Sequence, residues 1–428
     1  MQLETRAVRA GRMAAEDDSP RSGREGGQAR GTAQASWETG AAHVPGIDLS
    51  TTYSFRTADA VAASMDALLE GAPTAANPVY ARLHNPTVRG FEEALASLED
   101  AADAVAFASG MAAITATIMA ATSGEDGSRR PHVVAVRPVY GGTDHLLSSG
   151  LLGTEVSWVD QDAVADAVRA ETGLVMIETP ANPTLALVDI RAVVEQATAA
   201  GSRWGRRIPV AVDSTFATPV LQNPVPLGAD FAVHSATKFL GGHGDVMGGV
   251  VATSEEWAVR LRQLRMMTGA LLHPLAGYLL HRGLQTLPVR VRAQQTSAEL
   301  LARRLATHPE VRQVLFPGLR DDRRERRLLA MQQRGPGAVL SFRVAGGADG
   351  ARRVVEGLDL ITRAVSLGSV DSLIEAPALL THRIVDPADR ESSGVPDDLL
   401  RLSVGLESVE DLWDDLERAL YLRRRSVV

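Results

Sequence analysis

One lysine carries more chemistry than any other residue in the chain. Lys238 lies in Val233-His-Ser-Ala-Thr-Lys-Phe-Leu-Gly-Gly-His-Gly-Asp245, directly after an apolar run that reads as a strand. Hydroxyls at Ser235 and Thr237 flank it, and glycines follow. This pattern suits a Schiff base held beside a phosphate, the amine capturing an aldehyde while the hydroxyls bind phosphate oxygens. Upstream, Ala211-Val-Asp213-Ser-Thr-Phe216 brings a carboxylate to the end of another strand. Alone, such an aspartate is usually a turn or cap residue. Beside Lys238, it can pair with a protonated pyridine nitrogen. Ser109-Gly110-Met111 opens a helix, and free N–H groups at a helix start bind anions, although most Ser-Gly steps are simple caps. Tyr140, before Gly-Gly-Thr143, can stack on a flat ring; a lone tyrosine there reads by default as core packing.

Residue counts single out the same lysine. Of 44 Lys and Arg residues, 43 are arginine and Lys238 is the only lysine. A chain of this length ordinarily carries about two dozen lysines. A GC-rich genome can exchange surface lysines for arginine without loss. It cannot exchange one that must shed its proton and attack a carbonyl, because guanidinium stays protonated. The alternative, an accidental surface survivor, does not explain its neighbours.

Composition narrows the classes. The 428 residues predict two or three domains, and 45% hydrophobic against 22% charged residues is the balance of a soluble globular protein. A net charge of -8 argues against general nucleic-acid binding. With no cysteine, the sequence excludes disulfides, thiolate metal sites and a cysteine nucleophile. No apolar run reaches the ~18–20 residues of a membrane span, and Met1–Arg6 lacks a signal-peptide core, which predicts a cytoplasmic protein. None of the ten histidines has helix-face ligand spacing with a nearby acid, so no metal site is expected.

Elements that position these residues can be read along the chain. The first part is irregular, and residues 14–40 are polar and glycine-rich, the composition of a mobile arm. Strands are expected at Val133–Val136, Val156–Val159, Leu174–Ile177, Val210–Val212, Phe231–Val233 and Gly249–Ala252. Helices at Met111–Ala121, Ala163–Ala170 and Val188–Ala200 separate several of them, which predicts an α/β layer with a mostly parallel sheet. A long helical stretch, Leu275–His308, is interrupted at Pro288. Beyond it, strands at Val311–Phe316, Ala338–Val344, Ile361–Ser366 and Leu399–Val404 and a last helix at Val409–Tyr421 predict a smaller α+β domain. The mixed-charge run Arg320–Leu329 reads as a solvated helix face. The expected division is an arm over 1–84, an α/β domain over 85–288 and a C-terminal domain over 289–428.

On these residues the chain resembles the Cys/Met-metabolism family of pyridoxal-phosphate (PLP) enzymes, which includes cystathionine γ-synthase, cystathionine γ-lyase and methionine γ-lyase. Matching segments run in family order: Tyr80–Thr87, Phe107–Ile114, Tyr140–Thr143, Glu178–Pro183, Ala211–Pro219, His234–Gly249, Arg282–Leu287, Ser366–Gly368 and Leu400–Gly405. The resemblance implies pyridoxal 5'-phosphate as cofactor and the aspartate-aminotransferase-like fold type I. It implies that Lys238 holds the cofactor and shuttles protons, that Asp213 keeps the pyridine nitrogen protonated, and that Tyr140 stacks on the ring and assists departure of the γ-substituent. Asn182 would contact the ring hydroxyl; Ser109, Gly110, Met111, Ser235 and Thr237 would hold the phosphate. Tyr80 and Arg82 would reach the phosphate of a neighbouring subunit, in a homo-oligomer that is typically a dimer of dimers. Arg401, with Ser366 and Val365 beside it, would grip the substrate α-carboxylate.

The implied chemistry is γ-elimination on a sulfur-containing or γ-activated amino acid, through a Cα carbanion and a β,γ-unsaturated intermediate. Gamma-replacement on an O-acylated homoserine shares its first half and is the alternative; a non-catalytic member of the fold is a minor one, opposed by the intact Lys238, Asp213, Tyr140 and Arg401. Departures point to an altered pocket. Val365 stands where many cystathionine enzymes have a glutamate that reads the distal ammonium, which turns the expectation away from cystathionine. Gly142 stands where methionine γ-lyases typically carry a cysteine, Val79 and Ala81 replace polar residues, and His273-Pro274 replaces a common Ser-Pro. A specialised substrate from natural-product metabolism is therefore also open.

Overall fold

The computed structural model describes residues 1–11, 43–124 and 128–421. The segment read as a mobile arm, 14–40, lies outside them. The larger sheet has seven strands: β1 (Asp103–Phe107), β2 (His132–Val136), β3 (Glu155–Val159), β4 (Thr172–Glu178), β5 (Val210–Asp213), β6 (Phe231–Ser235) and β7 (Gly249–Thr253), in the order β1-β7-β6-β5-β4-β2-β3. Only β7 runs against its neighbours; the remaining pairings are parallel. Side chains alternate between two apolar layers. Val133 and Ala135 face the layer holding the helix Gly110–Thr122, whereas Val134 and Val136 face the helix Ile190–Gly201. Burial on both faces is why these strands read as unbroken apolar runs.

The second sheet is smaller: β8 (Val311–Leu315), β9 (Val339–Val344), β10 (Thr362–Arg363), β11 (Leu373–Glu375) and β12 (Leu399–Ser403), in the order β10-β11-β12-β9-β8. One face packs on the helices Leu287–Ala306, Gly347–Gly357 and Val409–Tyr421. Leu400 and Leu402 point into that layer, so Arg401 between them faces the other way.

Several elements differ from expectation. The break in the long helical stretch falls at Gln285 and Thr286, between the helices Pro274–Leu284 and Leu287–Ala306. Pro288 sits in the first turn of the second helix, where its missing N–H costs nothing. Of Ala163–Ala170 only Val164–Ala167 is α-helical, and of Ile361–Ser366 only Thr362–Arg363 is strand. Beyond it the backbone turns out of extended conformation at Ser366, whose φ is +91°. Strands β1 and β11 and the helices Ala58–Leu69 and Pro86–Glu99 were not expected. The mixed-charge run does form a helix, Arg323–Gln332, capped by Asp322 and burying Leu328.

Candidate active site

Strand polarity assembles the site. The carboxyl ends of β1, β2, β4, β5 and β6 open on one side of the large sheet, the side on which open α/β sheets bind ligands. There lies a cavity of about 570 Å³. Its wall contains Ser109, Gly110, Met111, Tyr140, Asn182, Asp213, Ser235, Thr237, Lys238, Val365, Ser366 and Arg401, so twelve of the fourteen expected site residues converge. Tyr80 and Arg82 do not. They lie outside this cavity, the Arg82 guanidinium over the Tyr80 ring and donating to the Met266 carbonyl.

Because β7 returns antiparallel beside β6, the chain between them forms a tight loop at the strand ends, and this loop carries Thr237 and Lys238. Lys238 Nζ donates to Ser366 Oγ at 2.7 Å. Burial, reinforced by the Arg401 charge, lowers its pKa from 10.5 to about 8, with Glu375 opposing. The lysine is therefore partly neutral near physiological pH, as a nucleophile requires.

Asp213, at the end of β5, is buried, and Thr215 donates to its Oδ1 from both backbone N (3.0 Å) and Oγ1 (2.6 Å). Burial pushes its carboxyl up, and the Thr215 hydrogen bonds oppose that shift. Thr215 Oγ1 in turn accepts from the Ser235 N–H at 2.9 Å, tying β5 to β6.

An anion cradle is built by close backbone approach. Ser109 caps the helix Gly110–Thr122 by accepting from the Ala112 N–H, and the Gly110 and Met111 N–H groups precede the first intrahelical bond. A Cβ on Gly110 would lie 2.9 Å from the Ser235 Cβ, and one on Gly249 would lie 2.1 Å from the Ser109 carbonyl oxygen. Only glycine at both places lets the helix start press against the Ser235 hydroxyl. N–H groups, two hydroxyls, a buried carboxylate and one amine are a donor set that fits the phosphate, ring nitrogen and aldehyde of pyridoxal phosphate.

From the small sheet comes Arg401, 2% exposed, opposite Glu375 in the β11–β12 register. Its Nη1 donates to Asn182 Oδ1 (2.9 Å) and its Nη2 to the Ser366 carbonyl (2.8 Å), and its Nη2 lies 2.7 Å from Glu375 Oε1 in an ion pair. Among the described residues its buried Nε has no hydrogen-bond partner. Ser366 thus holds the lysine through its hydroxyl and the arginine through its carbonyl, from a strained backbone. Sequence reasoning missed Glu375, although a lone acid in the apolar run Leu373–Ala378 is a signal. It also gave no role to Thr381, whose hydroxyl donates to Glu375 Oε1 at 2.8 Å, nor to Met247, Leu380 and Ile384, exposed apolar residues around the mouth. At Gly142, a Cβ would lie 2.6 Å from Tyr140 Cε1 and 3.2 Å from Met111 Sδ. The Tyr140 ring and the Met111 thioether take the space that a cysteine side chain would need.

Fold and site define a lysine-centred α/β enzyme that works on a carbonyl cofactor. The chain belongs to the Cys/Met metabolism PLP-dependent enzyme family, whose model matches residues 28–421. It is 54% identical to the L-methionine gamma-lyase of Streptomyces avermitilis, over 98% of this chain and 89% of that one. To the L-methionine gamma-lyase of Brevibacterium sandarakinum it is 53% identical, over 88% and 92% respectively. The fold matches the cystathionine gamma lyase CalE6 of Micromonospora echinospora with a TM-score of 0.82 and 35% identity, over 99% and 100% of the two chains. The fold is thus type I, the cofactor is pyridoxal phosphate, and the chain is a PLP-dependent lyase acting by γ-elimination on a small amino acid.

Proposed function

We propose that the substrate is L-methionine or a close thioether analogue, converted to a thiol, a 2-oxo acid and ammonia. The observation that carries this is the mouth: Val365, Met247, Leu380 and Ile384 are apolar and offer a distal ammonium or carboxylate no partner. The methionine gamma-lyases among the relatives support it. Ser109, Gly110, Met111, Ser235 and Thr237 hold the cofactor phosphate, Asp213 its ring nitrogen, Asn182 its ring hydroxyl and Lys238 its aldehyde carbon. Bound pyridoxal phosphate supplies the electron sink that makes the Cα–H bond acidic. Arg401 grips the α-carboxylate. Lys238, oriented by Ser366 Oγ, would move protons at Cα and Cβ. Tyr140 delivers a proton to the departing sulfur.

Other parts of the reading stand beside this. Tyr80 and Arg82 serve the site of a second copy in a cytoplasmic homotetramer; their position outside their own cavity supports this, and among the described residues no helix is long and apolar enough to cross a membrane. The division into arm (1–84), cofactor domain (85–288) and C-terminal domain (289–428) is supported by the two separate sheets.

Visible absorbance titration of the purified enzyme with methionine, homocysteine, cystathionine, O-acetylhomoserine, allylglycine and γ-halo analogues, scored also for 2-oxo acid, tests the substrate. A spectral shift with 2-oxo acid released from methionine, without added thiol, is expected. Product formed only when a nucleophile is supplied would make the enzyme a replacement catalyst instead. Sedimentation of the holoenzyme as a monomer would refute the shared site.

A further inference from the structure

Glu178 opens the segment Glu178–Pro183, yet no role above uses its side chain. It ends β4 in the cavity wall and is 4% exposed. Its Oε2 accepts from the Tyr140 N–H at 2.6 Å, and its Oε1 accepts from the Asn182 N–H at 2.8 Å. Those two residues sit on different loops: Tyr140 leads into the helix Gly141–Ser148, and Asn182 follows β4 itself. We infer that Glu178 is a positioning residue for the elimination, its carboxylate clamping the Tyr140 loop to the Asn182 loop so that both border the cofactor ring.

Three observations support the clamp. First, its two oxygens accept one backbone N–H from each of the two loops, so a single side chain bridges them. Second, Asn182 Oδ1 accepts from Arg401 Nη1, so a shift of the Asn182 loop reaches the group that binds the substrate carboxylate. Third, Glu178 lies opposite Asp213 in the β4–β5 register. Burial and the neighbouring Asp213 push the Glu178 carboxyl well up, and the two N–H groups and the Arg401 charge oppose that push.

This inference rests on the reading that Tyr140 and Asn182 flank the cofactor, and the test separates the two. Glu178→Gln is isosteric, but its amide can accept at one end only and sets a donor against the other N–H. The fold is checked by far-UV circular dichroism. The expected result is a roughly tenfold weaker pyridoxal-phosphate Kd of the apoprotein, read by fluorescence quenching. In the holoenzyme, kcat should fall about 100-fold, more than KM changes, as displacement of reacting groups does. A purely structural role would lower the unfolding temperature and leave Kd and kcat near the parent values, which overturns the inference. Tyr140→Phe and Asn182→Ala are the controls. If they leave turnover intact, the reading of the site fails; if they impair it while Glu178→Gln does not, only the clamp fails. Should Glu178→Gln not fold, Glu178→Asp, which keeps the charge but reaches only one N–H, carries the same expectations. Failure of both to fold would make Glu178 a folding residue and overturn the clamp.

Discussion

The two halves of the site are built differently. The cofactor half hangs on carboxyl ends of parallel strands in one sheet, with Asp213, Ser235 and the Lys238 loop tied together through Thr215 and the β6–β7 return. The substrate half comes from the small sheet, where Arg401 and Glu375 face each other as a buried ion pair beside the strained Ser366. The halves meet at the site through Lys238 on Ser366 and Arg401 on Asn182, and beside it through Ser341 Oγ, which donates to the Pro183 carbonyl, and the Val370 N–H, which donates to Gly242. On the proposed reading, the large sheet holds the cofactor and the small sheet the substrate carboxylate. Substitutions in the two halves should therefore fail in different ways.

The largest effect belongs to the first half. Lys238→Ala should cost about 10⁴-fold or more in turnover, since it removes both the cofactor attachment and the proton carrier. The purified variant should also lack the visible band of attached cofactor. Turnover near the parent rate would dissolve the distinction between the halves.

Arg401→Ala should fail in the other way. It removes charge-assisted hydrogen bonds to substrate and leaves Glu375 buried without its cation. We expect kcat/KM to fall about 100- to 1000-fold while the cofactor absorbance of the folded variant stays close to that of the parent. If this variant cannot retain cofactor, Arg401 belongs to the first half.

How much of each half was legible follows from the same contrast. Lys238, Asp213, Tyr140 and the Ser109–Met111 helix start carry their meaning in a few contiguous residues, and the structure brings them to one cavity. Arg401 and Ser366 were recognisable only through resemblance, because nothing within β12 or in the segment after β10 marks them. Glu375 gains its partner across β11 and β12, from a strand of three residues too short for any period to show. Strand β1, Asp-Ala-Val-Ala-Phe, has two alanines and an acid, a weak strand signature that full burial at the sheet edge beside β7 overrides. Glu178 was visible as a residue but not as a clamp, since Tyr140 lies far from it in sequence.

A pH measurement sharpens the electrostatics where the halves meet. Burial and the Arg401 charge bring the cofactor-free Lys238 to about 8 from 10.5. Because only the neutral amine reacts, acetylation of the apoprotein at Lys238 should rise about tenfold per pH unit below 8 and level off above it. Lys238 is the only lysine in the chain, so mass spectrometry of its peptide reads this site alone. A rise continuing to pH 10 would show that neither burial nor Arg401 acts on the amine. In Arg401→Ala the midpoint should move upward, since a repelling cation is gone.

The smallest effect lies at the mouth. Val365 is 51% exposed, so Val365→Glu places its charge in water and should leave stability within about 0.5 kcal/mol of the parent. For methionine, the new carboxylate meets an apolar thioether that gives it nothing, and kcat/KM should fall about tenfold. For cystathionine, the same carboxylate meets a distal ammonium that Val365 leaves unpaired, so the ratio of cystathionine to methionine activity should rise. Neither change touches Lys238, Asp213 or Arg401, and the cofactor spectrum should be that of the parent. A fall for both substrates alike would show that Val365 acts through Ser366 on the lysine, and that the mouth belongs to the catalytic machinery rather than to selection.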